Sequence, residues 1–180
     1  MRRALNASRA PPPLRAFRSW STSPLSAPTR TAPLPMRAAR RAAKRRRAAT
    51  WRERLARWGT ELAEVVVVAQ EVEAIQEASA RLADQVDLLI VAGQTSIMDE
   101  DDITPRGLEA AGATLELHGA PVEPGNLLAL AYFPRTPVMC APGCARSVSH
   151  NVVDMVLPRL LTGERLGRAE IAELGVGGLL

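Results

Sequence analysis

The feature that most constrains the fold is a short apolar run at residues 88–92, which reads LLIVA without alternating polar side chains. A run of this length and composition is typical of a strand that is buried on both faces of a parallel sheet. It ends at Gly93 and is followed by a polar turn, four consecutive acids and a predicted helix start at Thr104-Pro105, with Thr104 as the cap. This order predicts an α/β domain whose loop lies outside the carboxyl end of a strand, where open sheets bind ligands.

Hydrophobic periodicity and Gly or Pro punctuation predict the remaining elements. Helices are expected at residues 38–58, 71–85, 105–111 and 142–161, and strands at residues 65–68, 114–118, 127–132 and 137–141. On the first helix, Trp51 and Trp58 share one face and are expected to anchor it in the core. A second succession of strand, loop and helix therefore repeats the first.

The charge is divided sharply along the chain. Residues 1–52 hold 14 of the 23 Lys and Arg and no acid, whereas the following residues hold all 19 Asp and Glu. Residues 1–36 also contain seven prolines and no hydrophobic periodicity, so residues 1–37 are expected to be disordered. The overall charge of +4 describes neither part and is no argument for nucleic-acid binding by the folded domain.

The basic N-terminal segment allows three interpretations. An Arg-rich, Ser-rich and acid-free composition is the signature of an organelle transit peptide. The basic run at residues 37–47 would suit an arm that binds nucleic acid or membrane, and an unstructured extension is the third interpretation. Because no apolar run approaches the ~20 residues that a membrane span needs, a cytoplasmic location is expected, with organelle targeting as the alternative.

Two loops supply hydrogen-bond donors beside predicted helix starts. Gln94, Thr95 and Ser96 lie in the first loop, and Arg146 and Ser147 lie in the second. Helix N-termini favour anions, so the pair of loops predicts a phosphorylated ligand, with ordinary loop and cap chemistry as the alternative.

The four acids at residues 99–102 are either a solvated loop or part of a cation site. A Mg²⁺ ion held by one or two carboxylates and by ligand phosphates would relieve their repulsion of an anion, which makes Asp99 and Asp102 the candidate metal ligands. His118 and His150 are expected to be structural, and Cys144 is expected to line a pocket rather than act as a nucleophile. Neither a GxGxxG nor a GxxxxGK[ST] motif occurs, which argues against a standard dinucleotide site or a P-loop.

Four short motifs follow one another along the chain: GQTS at residues 93–96, DITP at residues 102–105, PGN at residues 124–126 and PGCARS at residues 142–147. Their order and spacing resemble the molybdenum cofactor biosynthesis, or molybdopterin-binding, domain family over about residues 38–163. The resemblance implies a three-layer α/β sandwich with a central, mostly parallel sheet. It also implies a pocket for the dithiolene and phosphate end of a pterin.

The resemblance implies molybdopterin as ligand or substrate, with Mg²⁺, and it assigns a set of binding residues. These are Gly93, Gln94, Thr95, Ser96, Thr104, Pro124, Gly125, Asn126, Pro142, Gly143, Cys144, Ala145, Arg146 and Ser147. Family catalysis depends on the acid of the D-x-T-P motif, which falls on Asp102. The family includes adenylyltransferases, which use ATP and Mg²⁺, and insertases, so both an enzyme and a binding module stay open. A nucleotidyltransferase domain or protein as partner, and a homo-oligomer, are both compatible with it.

The chain departs from the family pattern in several places, among them the end of the second strand, where neither Gln70 nor Glu71 cleanly matches the expected acid. Gln94 and Ser96 stand where the family turn has glycine, and residues 20–36 offer no apolar run for the strand with which the family begins. The first strand is therefore expected to be missing or replaced, the domain to cover residues 38–166, and residues 167–180 to form a tail or linker. The alternatives in function are a basic-arm interaction protein that binds nucleic acid or membrane, and an inactive fragment of a larger cofactor-synthesis enzyme.

Overall fold

The computed structural model describes residues 14–20, 48–93, 97–99 and 101–177, with the backbone alone at residues 14–20 and 176–177. The strands are β1 (Leu14–Trp20), β2 (Leu62–Ala69), β3 (Leu89–Val91), β4 (Thr114–His118), β5 (Ala129–Tyr132) and β6 (Pro137–Cys140). The helices are α1 (residues 48–56), α2 (Val72–Ala83), α3 (Ile103–Ala110), α4 (Val152–Leu161) and α5 (Arg168–Ala172), with 3₁₀ helices at Gly143–Arg146 and Glu173–Gly177. Within these ranges no helix is long and apolar enough to cross a membrane.

The described strands form one mixed sheet in the order β2-β1-β3-β6-β5-β4. The pairs β1–β2, β1–β3 and β3–β6 are parallel, whereas β5 runs antiparallel to both β4 and β6. The predicted α/β class is confirmed, and the LLIVA run forms β3 between two parallel neighbours.

Helices cover both faces of the sheet. Along β3, Leu89 and Val91 pack with apolar residues of α2 and α3, whereas Ile90 packs with α1 and α4 on the other face. Adjacent strand residues point to opposite faces, so a strand without polar residues requires a helical layer on each side. The three-layer arrangement follows from this requirement.

The first strand was expected to be missing or replaced, and β1 shows that it is not missing. β1 pairs with β2 from Leu14↔Leu62 to Trp20↔Ala69 and with β3 at Phe17↔Val91. Its sequence, LRAFRSW, contains the strand-favouring residues Phe and Trp and follows directly on the prolines at residues 11–13. Disorder is therefore contradicted over residues 14–20, while the rest of residues 1–37 and the basic run at residues 37–47 lie outside the described residues.

Three further expectations change at the margins of the domain. β2 was predicted as a buried strand but lies at the sheet edge, where Val67 is 41% exposed. Trp51 is buried as predicted, whereas Trp58 follows the end of α1 at residue 56 and is exposed. Beyond residue 166, where a tail was expected, α5 places Ile171 in the core.

Candidate functional site

The carboxyl ends of β3 and β6 lie side by side and open the candidate site. Their last residues pair as Val91↔Cys140, and the Ala141 amide donates to the Val91 carbonyl at 2.8 Å. The chain then leaves β3 through Gly93 and leaves β6 through Pro142. The two predicted ligand loops therefore start next to each other.

The β4–β5 loop reaches the same edge of the sheet. β5 is antiparallel to β6, with Ala129↔Cys140, and β4 ends at His118↔Ala129. The PGN motif at residues 124–126 lies in this loop. The structure thus gathers the described parts of all four motifs at the carboxyl edge of the parallel strands.

This edge also contains the point at which the chain reverses its direction across the sheet. The connection after β1 leads outwards to β2, whereas the connection after β3 leads the other way, towards β4 at the far end. The crevice outside two such strands is where open α/β sheets bind ligands. The loop after β3 lies at this position.

A narrow crevice lies between the two loops and the described part of α1. Arg146 Nη2 donates to the Gly93 carbonyl at 3.4 Å. The crevice is lined by Thr50, Trp51, Ala92, Gly93, Ala141, Pro142, Ala145 and Arg146. The sequence pattern favours Trp51 as a core anchor over a stacking platform for bases, and it does not predict that α1 contributes to this wall.

Asp102 holds the acidic loop together. Its Oδ2 accepts hydrogen bonds from the Met98 amide at 2.7 Å and from the Asp99 amide at 3.3 Å. Asp99 Oδ1 accepts in turn from the Asp101 amide at 2.9 Å. The carboxylates of Asp99 and Asp102 thus accept hydrogen bonds from backbone amides of the loop itself.

The start of α3 differs from the prediction. Asp102, with extended backbone angles, is the N-cap, and Thr104 is a buried residue of the first turn. Pro105 fits this later position because the amides of the first turn have no partner within the helix. Thr104 as the cap is therefore wrong, and its burial hides it from a ligand.

Asp99 and Asp102 do not by themselves form a metal site. Among the described residues, no group of three or more His, Cys, Asp or Glu side chains is placed to hold a metal ion. Mg²⁺ is often held by one or two carboxylates together with substrate phosphates. Two carboxylates alone leave most coordination positions of such an ion to oxygens from a ligand or water.

The helix predicted from residue 142 to residue 161 is broken. Gly143–Arg146 forms a single 3₁₀ turn, and α4 begins only at Val152, with Asn151 as the N-cap. Between them, Ser147 Oγ accepts from the Ser149 amide at 3.1 Å, which turns the backbone away from the helix. Arg146 and Ser147 were expected at the N-terminus of a long helix. This expectation is wrong, because they precede α4 by several residues.

The true N-terminus of α4 is filled by the protein's own groups. Asn151 Oδ1 accepts from the Val153 amide at 3.1 Å, Asp154 Oδ2 accepts from the Asn151 amide at 3.0 Å, and the Val152 amide donates to the Pro124 carbonyl at 3.2 Å. Gly125 adopts φ +134°, and an added Cβ would lie 2.2 Å from Val152 Cγ1. Pro124 and Gly125 thus support the first turn of α4.

The candidate binding residues differ in their exposure. Asn126, Arg146 and Ser147 are exposed, and Gly93, Pro124, Gly143 and Cys144 are half-buried. Thr104, Gly125, Pro142 and Ala145 are buried, whereas Gln94, Thr95 and Ser96 lie outside the described residues.

The two thiols are not activated. Complete burial raises the pKa of Cys140 to about 12, and partial burial raises the pKa of Cys144 above that of an ordinary thiol. A thiol rather than a thiolate at neutral pH makes a poor nucleophile. Among the predicted structural histidines, His118 bonds through Nε2 to the Ile97 carbonyl at 3.1 Å.

A larger cleft, of about 810 Å³, lies at the opposite edge of the sheet, between the loop before β3, the β5–β6 turn and the end of α4. Both arginines of its lining have partners. Arg135 contacts Asp84, also in the lining, at 3.4 Å. Arg165 contacts Glu116, which lies outside the lining, at 2.9 Å, and its guanidinium carbon is 4.1 Å from the centroid of the Tyr132 ring. None of the four motifs contributes to this cleft. Volume alone does not identify the site.

Residues 42–162 match the family described as "Probable molybdopterin binding domain". This match covers more than half of the chain and includes the described parts of the four motifs. No curated protein matches.

Several solved structures of molybdenum cofactor biosynthesis proteins are similar. The molybdopterin biosynthesis moea protein from Pyrococcus horikosii is 19% identical over 83% of this chain, with a TM-score of 0.49, and the chain spans 35% of its length. Molybdenum cofactor biosynthesis protein B is 14% identical over 86% of this chain and 98% of its own, with a TM-score of 0.48. A molybdopterin biosynthesis protein from Mycobacterium abscessus is 14% identical over 84% of this chain and 94% of its own, also with a TM-score of 0.48.

Proposed function

The chain belongs to the molybdopterin-binding domain family of molybdenum cofactor biosynthesis, and on that premise we propose that it binds molybdopterin at the carboxyl edge of its sheet. The loop at residues 93–96 and the loop at residues 142–147 hold the pterin and its phosphate between them. Thr50 and Trp51 of α1 form the wall behind them.

The observation that carries this proposal is the contact between Arg146 and the Gly93 carbonyl. It brings together two loops that are far apart in sequence and that follow neighbouring parallel strands. A guanidinium binds phosphate through paired hydrogen bonds, and Arg146 is exposed to an incoming ligand. At 3.4 Å the contact with Gly93 is long, so a phosphate would compete with it effectively.

Asp102 has two roles in the proposed site. First, its carboxylate fixes the acidic loop through the Met98 and Asp99 amides. Second, as the N-cap of α3 it lies where the acidic loop ends, and there it would act on the ligand. In the presence of ligand, the carboxylates of Asp102 and Asp99 would hold a Mg²⁺ ion together with phosphate oxygens. The ion would supply charge neutralisation at the phosphate, while this chain's own residues fix the position of the pterin.

A calorimetric titration of the full chain with molybdopterin tests the proposal. Arg146→Ala is expected to weaken binding by about tenfold, the loss typical of one hydrogen bond to a charged group. Arg135→Ala is the matched control, because it removes an exposed arginine at the opposite edge. Equal affinities of both variants and the unchanged chain, or no binding by the unchanged chain, would refute the proposal.

Whether binding leads to turnover is tested separately. An adenylyltransferase would consume ATP and molybdopterin with a dependence on Mg²⁺, and Asp102→Ala would abolish that consumption. Tight binding without ATP consumption would identify a binding module, and binding left unchanged by Asp102→Ala together with Thr95→Ala would count against this site altogether.

A further inference from the structure

Arg54 is a charged side chain buried within the apolar layer beneath the proposed site. It lies on α1, its side chain is 0% exposed, and its neighbours Trp51 and Leu55 belong to the core. Arginine is almost never fully buried unless it is paired, because removing a charge from water is costly. Its partners therefore indicate what it does.

The Arg54 guanidinium joins two segments that follow β6. Nη1 forms an ion pair with Asp154 Oδ2 in the first turn of α4, and Nη2 donates to the Ser147 carbonyl at 2.5 Å. Ser147 is the last residue of the proposed ligand loop, and Asp154 accepts from the Asn151 amide. One side chain of α1 thus holds both ends of residues 147–154.

The buried contacts of Arg54 are poorly suited to stabilising the fold, because its hydrogen bonding is incomplete. Within the described residues, Nε of Arg54 is buried without a hydrogen-bond partner, and Nη1 meets Asp154 without hydrogen-bond geometry. A buried ion pair with incomplete hydrogen bonding is commonly no more stabilising than apolar side chains of the same volume. What apolar side chains would not supply is a donor to the Ser147 carbonyl.

We propose that Arg54 is a positioning residue that fixes the Ser147 end of the ligand loop and so sets the affinity for the pterin phosphate. It contacts no ligand itself. It acts from the helix that supplies Thr50 and Trp51 to the crevice, so wall and loop are held in one geometry. This inference rests on the proposed function for its effect on affinity, but its effect on the loop is independent of any ligand.

The test uses a neutral pair, Arg54→Met with Asp154→Asn. This variant removes both buried charges, and the introduced amide oxygen still accepts from the Asn151 amide. Arg52→Met is the control, because it makes the same change at an exposed position of α1. Amide hydrogen exchange of residues 147–151 in the free protein is measured with the thermal midpoint, and molybdopterin affinity is measured by calorimetry.

The neutral pair is expected to unfold near the temperature of the unchanged chain, to exchange faster at residues 147–151, and to bind molybdopterin about tenfold more weakly. Unchanged exchange and affinity would show that Arg54 only fills the core, and would overturn the inference. If the neutral pair does not fold, Arg54→Lys decides the matter. A single ammonium cannot reproduce the fork to both partners, so faster exchange is again expected and wild-type exchange again overturns the inference.

The same measurements separate the two proposals. Absence of molybdopterin binding by the unchanged chain would refute the proposed function, while faster exchange in the neutral pair would still support the positioning role. Weaker binding by Arg146→Ala, together with wild-type exchange and affinity in the neutral pair, would refute the positioning role alone.

Discussion

The starts of α3 and α4 follow neighbouring parallel strands, yet they are built differently. At α4, the side chains of Asn151 and Asp154 and the Pro124 carbonyl satisfy the first amides. At α3, the N-cap Asp102 makes no side-chain bond to the helix and instead holds the loop in front of it. The start of α4 is therefore fixed by contacts within the protein, whereas the cap side chain of α3 fixes the loop before the helix. This loop is the one that the proposed function assigns to the ligand.

The largest effect is expected where the joint at α4 is most crowded. Gly125→Ala places a methyl group against Val152 at a backbone angle of φ +134°, so it should lower the free energy of unfolding by about 3 kcal/mol or more. Urea unfolding measures this loss. Gly112→Ala, at φ +94° with no atom nearby, serves as the control and should cost about 1–2 kcal/mol from backbone strain alone. Equal losses in the two variants would contradict the packing role of Gly125.

Removing the cap of α4 should have the next largest effect on stability. Asn151 is 1% exposed, and Asn151→Ala removes the acceptor for the Val153 amide, so a loss of about 1–2 kcal/mol is expected. Thermal unfolding and molybdopterin affinity are measured on the same sample. If Asn151→Ala kept the stability of the unchanged chain, the side-chain cap would not stabilise the N-terminus of α4.

The opposite balance is expected at the start of α3. Asp102→Ala deprives two exposed loop amides of their acceptor, which should cost about 1 kcal/mol of stability or less, because water replaces the bond. Affinity for molybdopterin should fall more than in Asn151→Ala. If affinity falls more in Asn151→Ala than in Asp102→Ala, then the start of α4, and not the start of α3, is the one that matters for the ligand.

The smallest effect concerns the thiol in the loop before α4. Because burial raises the pKa of Cys144, the thiolate fraction at pH 8 is lower in the folded chain than in urea, and alkylation by iodoacetamide should be slower. Cys140, whose pKa burial raises to about 12, is expected not to be alkylated in the folded state. Alkylation of folded Cys144 at the rate of a free thiol would show that the loop is open.

The sequence was sufficient where a local pattern and the tertiary environment agree. β3 follows from a run that tolerates burial on both faces, and α2 follows from the spacing of Ile75, Ala78 and Leu82, all of which are buried. The loops after β3 and β6 meet because parallel strands end at a common edge. These features required no knowledge of distant partners.

Two other features were not predicted. In one, a local signal was hidden by a stronger pattern, and in the other the partner of a side chain is distant in sequence. The break before α4 had a local signal, since Asn151 is followed three residues later by Asp154 in the pattern of a capping box, but the prolonged apolar spacing obscured it. Arg54 likewise falls on the apolar face of α1 between Trp51 and Leu55, where a charge signals a buried partner. Which partner it meets, 93 positions away, is decided only by the fold.

The position of β1 has a consequence for how the molecule assembles. β1 is synthesised before every other described strand, yet it completes its ladders only when β2 and β3 have both been made. The hairpin-like half formed by β4, β5 and β6 needs only local closure, which costs less chain entropy. We expect pulse-labelled hydrogen exchange to show protection of β4 and β5 before protection of β2. Insertion of β1 between β2 and β3 would then be the step that joins the two halves into one sheet.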